Sequence, residues 1–343
     1  MSVDIIVDSC DQKEWGKYAD NFADYSIYQT MAYQQVRAET DRQQIKRIVI
    51  KEQNGKEILM CNVRIKTMKP IGLTIGYVQF GPLMLWKNGQ SDCLSEALRC
   101  LRESCFKMNI NVLRITPNVV NNETGKKISE LLEAAGFRKN RRLPPYHSCF
   151  VSLKEHEEEI YSRIHRDNRR IIRKAEKMQI EVREGTGDEF FETLEQLYIL
   201  AKKRKGFEGV DAAVFAKVQK MLADSEKAIS LIAYYDGQPI TAHATTHFGT
   251  TAVPILTANT EKGLECGTSY LLWWKAYIMA KNLGMHYYDL GGIDQNKNPK
   301  GYLFKKYIGG EEFFNIGIFE ACANLSTLKV VHVAENCYRL LKR

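Results

Sequence analysis

The sequence has no C-x-x-C pair, although it holds nine cysteines and seven histidines in 343 residues. Clustered zinc sites and thioredoxin-like redox motifs are therefore excluded. The cysteines are odd in number and most fall in apolar or helical patterns, which predicts reduced core thiols in a cytoplasmic protein. No local signature of a catalytic cysteine surrounds any of them. There is no H-E-x-x-H helix. His243 and His247 are four apart in a stretch that reads as strand, too widely separated to share an ion, so no metal is expected. The phosphate-cradling loops G-x-x-x-x-G-K-[ST] and G-x-G-x-x-G are missing, and so is the nucleophile elbow G-x-S-x-G.

Long hydrophobic runs are also missing. The longest, Ile71 to Trp86, is interrupted by Thr74, Gln79, glycines and Pro82 and reads as strand–turn–strand. No transmembrane segment is expected. The first residues, Met1 to Asp8, follow a short strand pattern instead of a basic region leading into an apolar one, so no secretory signal is expected. The expected location is cytoplasmic, with peripheral association at the inner face of a membrane left open.

The chain does have a length that fits two domains, and a formal net charge of +8. That charge suits anionic partners such as phosphates, tRNA or lipid headgroups. Strand and helix patterns alternate along both halves, which predicts an α/β or α+β class. Asn54-Gly55 and Asp236-Gly237 mark hairpins. Ser91–Lys107, Glu123–Ala135, Glu189–Arg204, Ala212–Leu222 and Thr268–Leu283 carry helical periodicity. Leu143-Pro144-Pro145 is the clearest boundary, and domains of residues 1–148 and 149–317 are expected on either side of it.

Two stretches carry candidate chemistry. Tyr287-Tyr288-Asp289-Leu290-Gly291-Gly292 reads as a strand end followed by two glycines that let a ligand approach closely. The loop Asp294–Pro299 is turn chemistry, and Tyr302 to Gly310 is expected to return the chain to an extended strand. An acid on one side of a loop and Lys305-Lys306 on the other could hold an anionic or carbonyl group. The alternative is a hairpin with solvated lysines. The second stretch, Glu155–Lys177, is expected to form one long helix. Ile160, Ile164, Ile171 and Ala175 share one face, and Arg163, Arg166, Arg170, Arg173, Lys174 and Lys177 gather on another. Like charges at that spacing repel mildly, so an opposing anion explains the stripe better than solvent does. Lys202-Lys203-Arg204-Lys205-Gly206-Phe207 closes the next helix. It reads either as a complement to the helix dipole or as a phosphate clamp with Arg204 as planar donor.

Four segments in order resemble the FemABX family of peptidoglycan interpeptide-bridge aminoacyltransferases. They are Gln29–Tyr33 with Arg37; Gly76–Pro82; Arg166–Ala175; and Tyr288–Ile293 leading to Phe304-Lys305. The resemblance spans about residues 25 to 320. It implies two tandem GNAT-like domains, each a mixed central sheet flanked by helices, with residues 318–343 returning to pack on the first. It also implies transfer of an amino acid from aminoacyl-tRNA to an amine of a peptidoglycan-precursor peptide, without a cofactor. The stretch from Leu222 to Ala228 has no room for the inserted coiled-coil arm of some members.

By this resemblance Arg37 and Arg204 would contact a precursor diphosphate, nucleotide- or lipid-linked. Lys305, beside Phe304, would steady negative charge on the reacting carbonyl. Tyr33, Gly291, Gly292 and Tyr302 complete the candidate substrate-binding set, and Asp289 joins Lys305 and Phe304 as a candidate catalytic residue. Arg163, Arg166, Arg170, Arg173 and Lys174 would face tRNA. Two departures stand out. Ile255 and Thr257 replace tyrosines common in the family, and Gln79-Phe80 replaces Pro-Arg. Two alternatives remain: an acyl-CoA-dependent N-acyltransferase of envelope or capsule biosynthesis, and a non-catalytic tRNA- or phospholipid-binding protein. The helix-start motif [QR]-x-x-G-x-[GA], which holds the CoA pyrophosphate on backbone N–H groups, is absent.

Overall fold

The computed structural model describes residues 3–69, 71–86, 91–206 and 209–341. Backbone contacts divide the chain into two units, Met1–Tyr146 with Phe314–Arg343, and His147–Phe313. Each unit is built on its own mixed sheet.

The first unit runs β1 (Val3–Val7), α1 (Gln12–Ala19), α2 (Met31–Thr40), β2 (Gln44–Glu52), β3 (Glu57–Met68), β4 (Leu73–Val78), β5 (Leu83–Met84), α3 (Ser91–Lys107), β6 (Val112–Ile115), α4 (Glu123–Ala134) and β7 (Arg138–Lys139). The second contains β8 (His147–Ser152), α5 (Glu157–Arg163), α6 (Arg166–Glu176), β9 (Glu181–Gly185), α7 (Asp188–Lys205), α8 (Ala212–Met221), β10 (Ile229–Tyr235), β11 (Gln238–Phe248), β12 (Thr251–Asn259), α9 (Glu261–Cys266), α10 (Thr268–Asn282), β13 (Tyr287–Gly292), α11 (Pro299–Tyr307) and β14 (Glu311–Phe314). The chain then re-enters the first unit as β15 (Phe319–Cys322) and α12 (Leu325–Leu341).

The first sheet has the order β1-β2-β3-β4-β6-β15-β7, with β5 paired to β3. The second has the order β14-β8-β13-β12-β11-β10-β9. Each holds a parallel pair joined by a helical crossover: β4 to β6 through α3, and β12 to β13 through α9 and α10. Parallel neighbours need such a crossover, and the helix buries its apolar face on the sheet it spans. In the first unit α3 does so with Leu94, Leu98, Leu101 and Cys105, against Ile48, Leu59, Val63 and Leu113. In the second, Leu272, Trp273, Ala276 and Tyr277 of α10 pack with Cys149, Val151, Tyr288 and Leu290. The opposite face of the first sheet is covered by α12, whose Leu328 and Val331 meet Ile75 and Val112. Arg114 ties that helix down: it pairs with Glu320 at 2.5 Å and with Glu335 at 2.7 Å, and His332 reaches Glu320 at 2.8 Å.

Three local expectations are corrected. The long helix over 155–177 is two helices, α5 and α6. Ile164 is extended (φ −66°, ψ 132°), and His165 caps the second helix with its ring nitrogen on the Asp167 amide. The break lets Ile164 be buried and docks the chain on the end of α11, where the His165 amide and Asn168 Nδ2 both donate to the Tyr307 carbonyl. Secondly, Tyr302 to Tyr307 is helical, within α11. Asn298 caps it by accepting from the Gly301 amide at 2.9 Å, and Pro299 takes the first turn, where its missing N–H costs nothing. Thirdly, Phe313–Glu320 reads from its sequence as a single strand, but the chain there forms two, β14 and β15, in different sheets. Gly317, at φ +106°, turns the chain between them. Phe207, and the last two residues of the returning segment 318–343, lie outside the described residues.

Candidate active site

In the second sheet β12 and β13 share register only at Thr251–Tyr287 and Ala252–Tyr288 among the described residues. Towards their C-terminal ends no further pairing follows. The pairing of β13 with β8 also shifts between Asp289 and Gly292. The opened strand end is held by side chains. Asp289, buried, accepts the Gly291 amide on Oδ1 at 2.9 Å. The Ser148 hydroxyl lies 2.5 Å from the same oxygen and 2.6 Å from the Gly291 carbonyl, so it can donate to either. Gly291 has φ +81°, a conformation that disfavours a side chain.

Lys305 enters this site from α11. Its Nζ donates to the carbonyls of Gly291 and Gly292, at 2.8 Å each. An ammonium has three donors, so the third is left for a ligand. Burial lowers the Lys305 pKa from the ordinary lysine value, and the charges of Asp289 and Cys149 oppose that shift. α11 ends tightly on the core, since Gly310 has Cys149 and Leu290 where its Cβ would be. Phe304 turns away from the carbonyls and packs on Tyr270 and Trp273, with ring centroids 5.2 and 5.9 Å apart. Tyr302 donates to Glu312 at 2.6 Å, and Glu312 also binds Lys306 at 3.2 Å and His147 at 3.1 Å. Hydrogen bonding from Tyr302, then Lys306 and His147, holds the Glu312 carboxyl below its usual range although partial desolvation opposes it.

Behind β13 lies a buried polar chain. Tyr288 OH contacts His243 Nε2 at 2.7 Å and Thr245 Oγ1 at 2.6 Å, and Thr257 Oγ1 contacts His243 Nδ1 at 3.0 Å. Desolvation pushes the His243 pKa down to about 3, so the ring is neutral. Thr257, which stands where the family often has tyrosine, is thus a partner of this histidine.

The first unit holds a second constellation. Arg37 pairs with Asp41 at 2.8 Å, and Asp41 also accepts from Arg64 at 3.1 Å. Arg64 is buried and continues to Gln79 Oε1 at 2.9 Å, while Gln29 Nε2 donates to the Gln79 carbonyl at 2.6 Å. Tyr33 is buried beside them, and desolvation raises its pKa. Phe80 stacks on Tyr28 at 4.5 Å and meets Tyr146 edge-on at 5.0 Å. Phe80 and Tyr146, with Gln79, Pro117, Asn315 and Ile318, wall a cavity of about 260 Å³. The Gln79-Phe80 departure therefore supplies an arginine anchor and a cavity wall.

The structure thus groups Asp289, Gly291, Gly292 and Lys305 in direct contact, and places Tyr33 and Arg37 in the other unit. Arg204 lies at the end of α7, exposed, donating to the Asn259 carbonyl at 2.8 Å. Arg166, Arg170, Arg173 and Lys174 are exposed on α6, but Arg163 belongs to α5 and pairs with Glu155 at 2.9 Å. Arg163 is therefore no part of an unpaired stripe. Ser148, His243, Arg64 and Asp41 were not singled out as site residues. In the sequence His243 stands out by its spacing of four from His247, and its alternation with Thr245 on one strand face reads equally as core. Among the described residues no group of acids, histidines and cysteines could hold a metal ion.

Residues 10–238 match the model of the FemAB family. The chain belongs to that family. The solved structure of FemX superposes with a TM-score of 0.83 at 15% identity, over 95% of this chain and 99% of that one. A conserved protein of unknown function from Bacteroides thetaiotaomicron superposes at 0.60 with 11% identity, over 94% and 100% of the two chains. A tandem GNAT protein from the clavulanic acid biosynthesis pathway superposes at 0.50 with 12% identity, over 94% and 99%. No curated protein matches the sequence. The two units are accordingly two tandem GNAT-like domains, and family and fold together support an acyltransferase of cell-wall biosynthesis.

Proposed function

We propose that this protein transfers an amino acid from aminoacyl-tRNA to an amine of a peptidoglycan-precursor peptide. The observation that carries the proposal is the Lys305 ammonium, fixed by two carbonyls at the open end of a diverging parallel pair. A neutral acceptor amine attacks the ester carbonyl carbon and forms the C–N bond. The carbonyl electrons move to oxygen, where the third Lys305 donor meets the developing charge. Collapse breaks the bond to the ribose oxygen, which leaves with the proton released by the amine. An aminoacyl ester is already activated, so positioning and charge stabilisation suffice and no cofactor is needed.

The exposed cations of α6 suit the tRNA backbone, and Arg204, exposed at the end of α7, suits the diphosphate of a nucleotide- or lipid-linked precursor. The donor places the reaction on the cytoplasmic side. Among the described residues no helix is long and apolar enough to cross a membrane. Acyl-CoA is the second reading, favoured by the GNAT-like fold and disfavoured by the missing pyrophosphate motif.

The test is mass spectrometry of precursor peptides after incubation with charged tRNA or with acyl-CoA. A peptide heavier by one amino-acid residue, formed only with charged tRNA, is expected. Product formed only with acyl-CoA would replace the first reading by the second. Tight tRNA binding without product from either donor would leave a binding protein.

A further inference from the structure

The most exposed of the large apolar side chains described is Leu200, at 63%, and its neighbour Ile199 is 54% exposed. Both lie near the C-terminal end of α7. One turn on, at helical spacings of three and four, come Lys203 and Arg204, with Lys202 beside them, all exposed. Val210, 45% exposed, is drawn to the same end of the helix because its amide donates to Tyr198 OH at 2.9 Å. None of the three cations has an acidic partner within 4.0 Å among the described residues. Met221, at the end of α8, is exposed as well.

A dipole complement or a solvated helix end explains the cations. It does not explain two adjacent aliphatic side chains left in water beside them. RNA phosphates would account for the cations and leave the aliphatics idle. An anionic bilayer uses both, because headgroups meet the lysines while the aliphatics enter the acyl boundary. We propose that the C-terminal turn of α7, through Ile199, Leu200, Lys202 and Lys203, docks the protein on an anionic lipid surface.

The place matters. Arg204 is tied to Asn259, the last residue of β12, at the end where β12 and β13 diverge. The docking turn is therefore tied to the C-terminal end of β12, the strand that pairs with the β13 of the Lys305 site. Resting on the proposed function, this selects the lipid-linked form of the acceptor.

The experiment is co-sedimentation of the full chain with vesicles of phosphatidylglycerol and phosphatidylcholine, against phosphatidylcholine alone. Wild type is expected to bind the anionic vesicles and to lose most binding at high salt. Ile199→Ser/Leu200→Ser should weaken binding by about tenfold at low salt, with an unchanged melting curve. Lys202→Gln/Lys203→Gln should also weaken it, and should reduce the salt dependence. If the serine pair misfolds, Leu200→Gln alone serves in its place. Failure of wild type to sediment with anionic vesicles would overturn the inference. So would wild-type binding by the serine pair together with loss of tRNA binding by the glutamine pair, which would make this an RNA surface. Transfer to a soluble nucleotide-linked precursor, measured on the serine pair, separates the two proposals. Transfer retained while vesicle binding is absent from wild type removes only the docking, and docking without transfer from any charged tRNA removes only the reaction.

Discussion

Lys305 Nζ sits 2.8 Å from the carbonyl oxygen of Gly291, and that oxygen is itself 2.6 Å from Ser148 Oγ. A residue from a helix and a carbonyl from a strand end are thus fixed by a serine two strand positions into β8. The position of the ammonium depends on all three elements.

Lys305→Met is expected to lower kcat at least about tenfold with the fold intact, the scale of losing an oxyanion donor. Lys306→Met should leave kcat near wild type. Lys306 points to Glu312 and Tyr302 on the exposed side of α11, because consecutive helical residues lie about 100° apart. Steady-state kinetics with charged tRNA checks the pair, and equal losses would place the reacting carbonyl elsewhere. Because burial lowers the Lys305 pKa, the active cation should be lost on raising pH sooner than for an ordinary lysine.

Ser148→Ala should reduce kcat with little change in KM, since the serine positions the carbonyl and does not meet substrate. The lost hydrogen bonds should cost about 1–2 kcal/mol of stability by denaturant unfolding. Gly310→Ala should act on the same site from the other side. Its Cβ would lie 2.5 Å from the Lys305 carbonyl and 2.8 Å from Cys149 and Leu290. Overpacking of about 1–3 kcal/mol and a displaced α11 are expected.

Arg170→Glu/Arg173→Glu should weaken tRNA binding and flatten its salt dependence, by roughly 0.7–0.9 in log–log slope per lost phosphate contact. Both side chains are exposed, so the melting temperature should stay close to wild type. Arg163→Glu differs: it breaks the Glu155 pair, and its effect should fall on stability more than on the salt slope. Filter binding across a salt series distinguishes them.

His243 gives a pH signature. Its pKa is about 3 folded against 6.5 for the free side chain, so the unfolded chain binds the extra proton between those values. Stability should therefore be full above about pH 6.5 and fall as pH drops towards 3. His243→Gln, which stays neutral, should flatten this slope in urea unfolding measured across that range.

The sequence by itself determined the class of fold, the hairpins at Asn54-Gly55 and Asp236-Gly237, and the motif around Asp289-Leu290-Gly291-Gly292. Turn residues and apolar periodicity are local properties, so they are legible without the partners they pack on. Asn298-Pro299 reads as turn chemistry, and the aromatics, lysines and glycines after it read as a strand, because the helix there is set by an Asn298 cap and by packing that the local pattern does not show. What only the tertiary structure decided was contact. Ile164 breaks the basic helix because burying it and docking His165 on Tyr307 outweighs continuing the turn. Ser148 and Asp289 meet because β8 and β13 are neighbours, although 141 residues separate them. Nothing in the local pattern of either residue encodes that pairing. The orientation of Lys305 follows from the helix it rides on and the two carbonyls it meets, which the sequence listed in order but could not bring together.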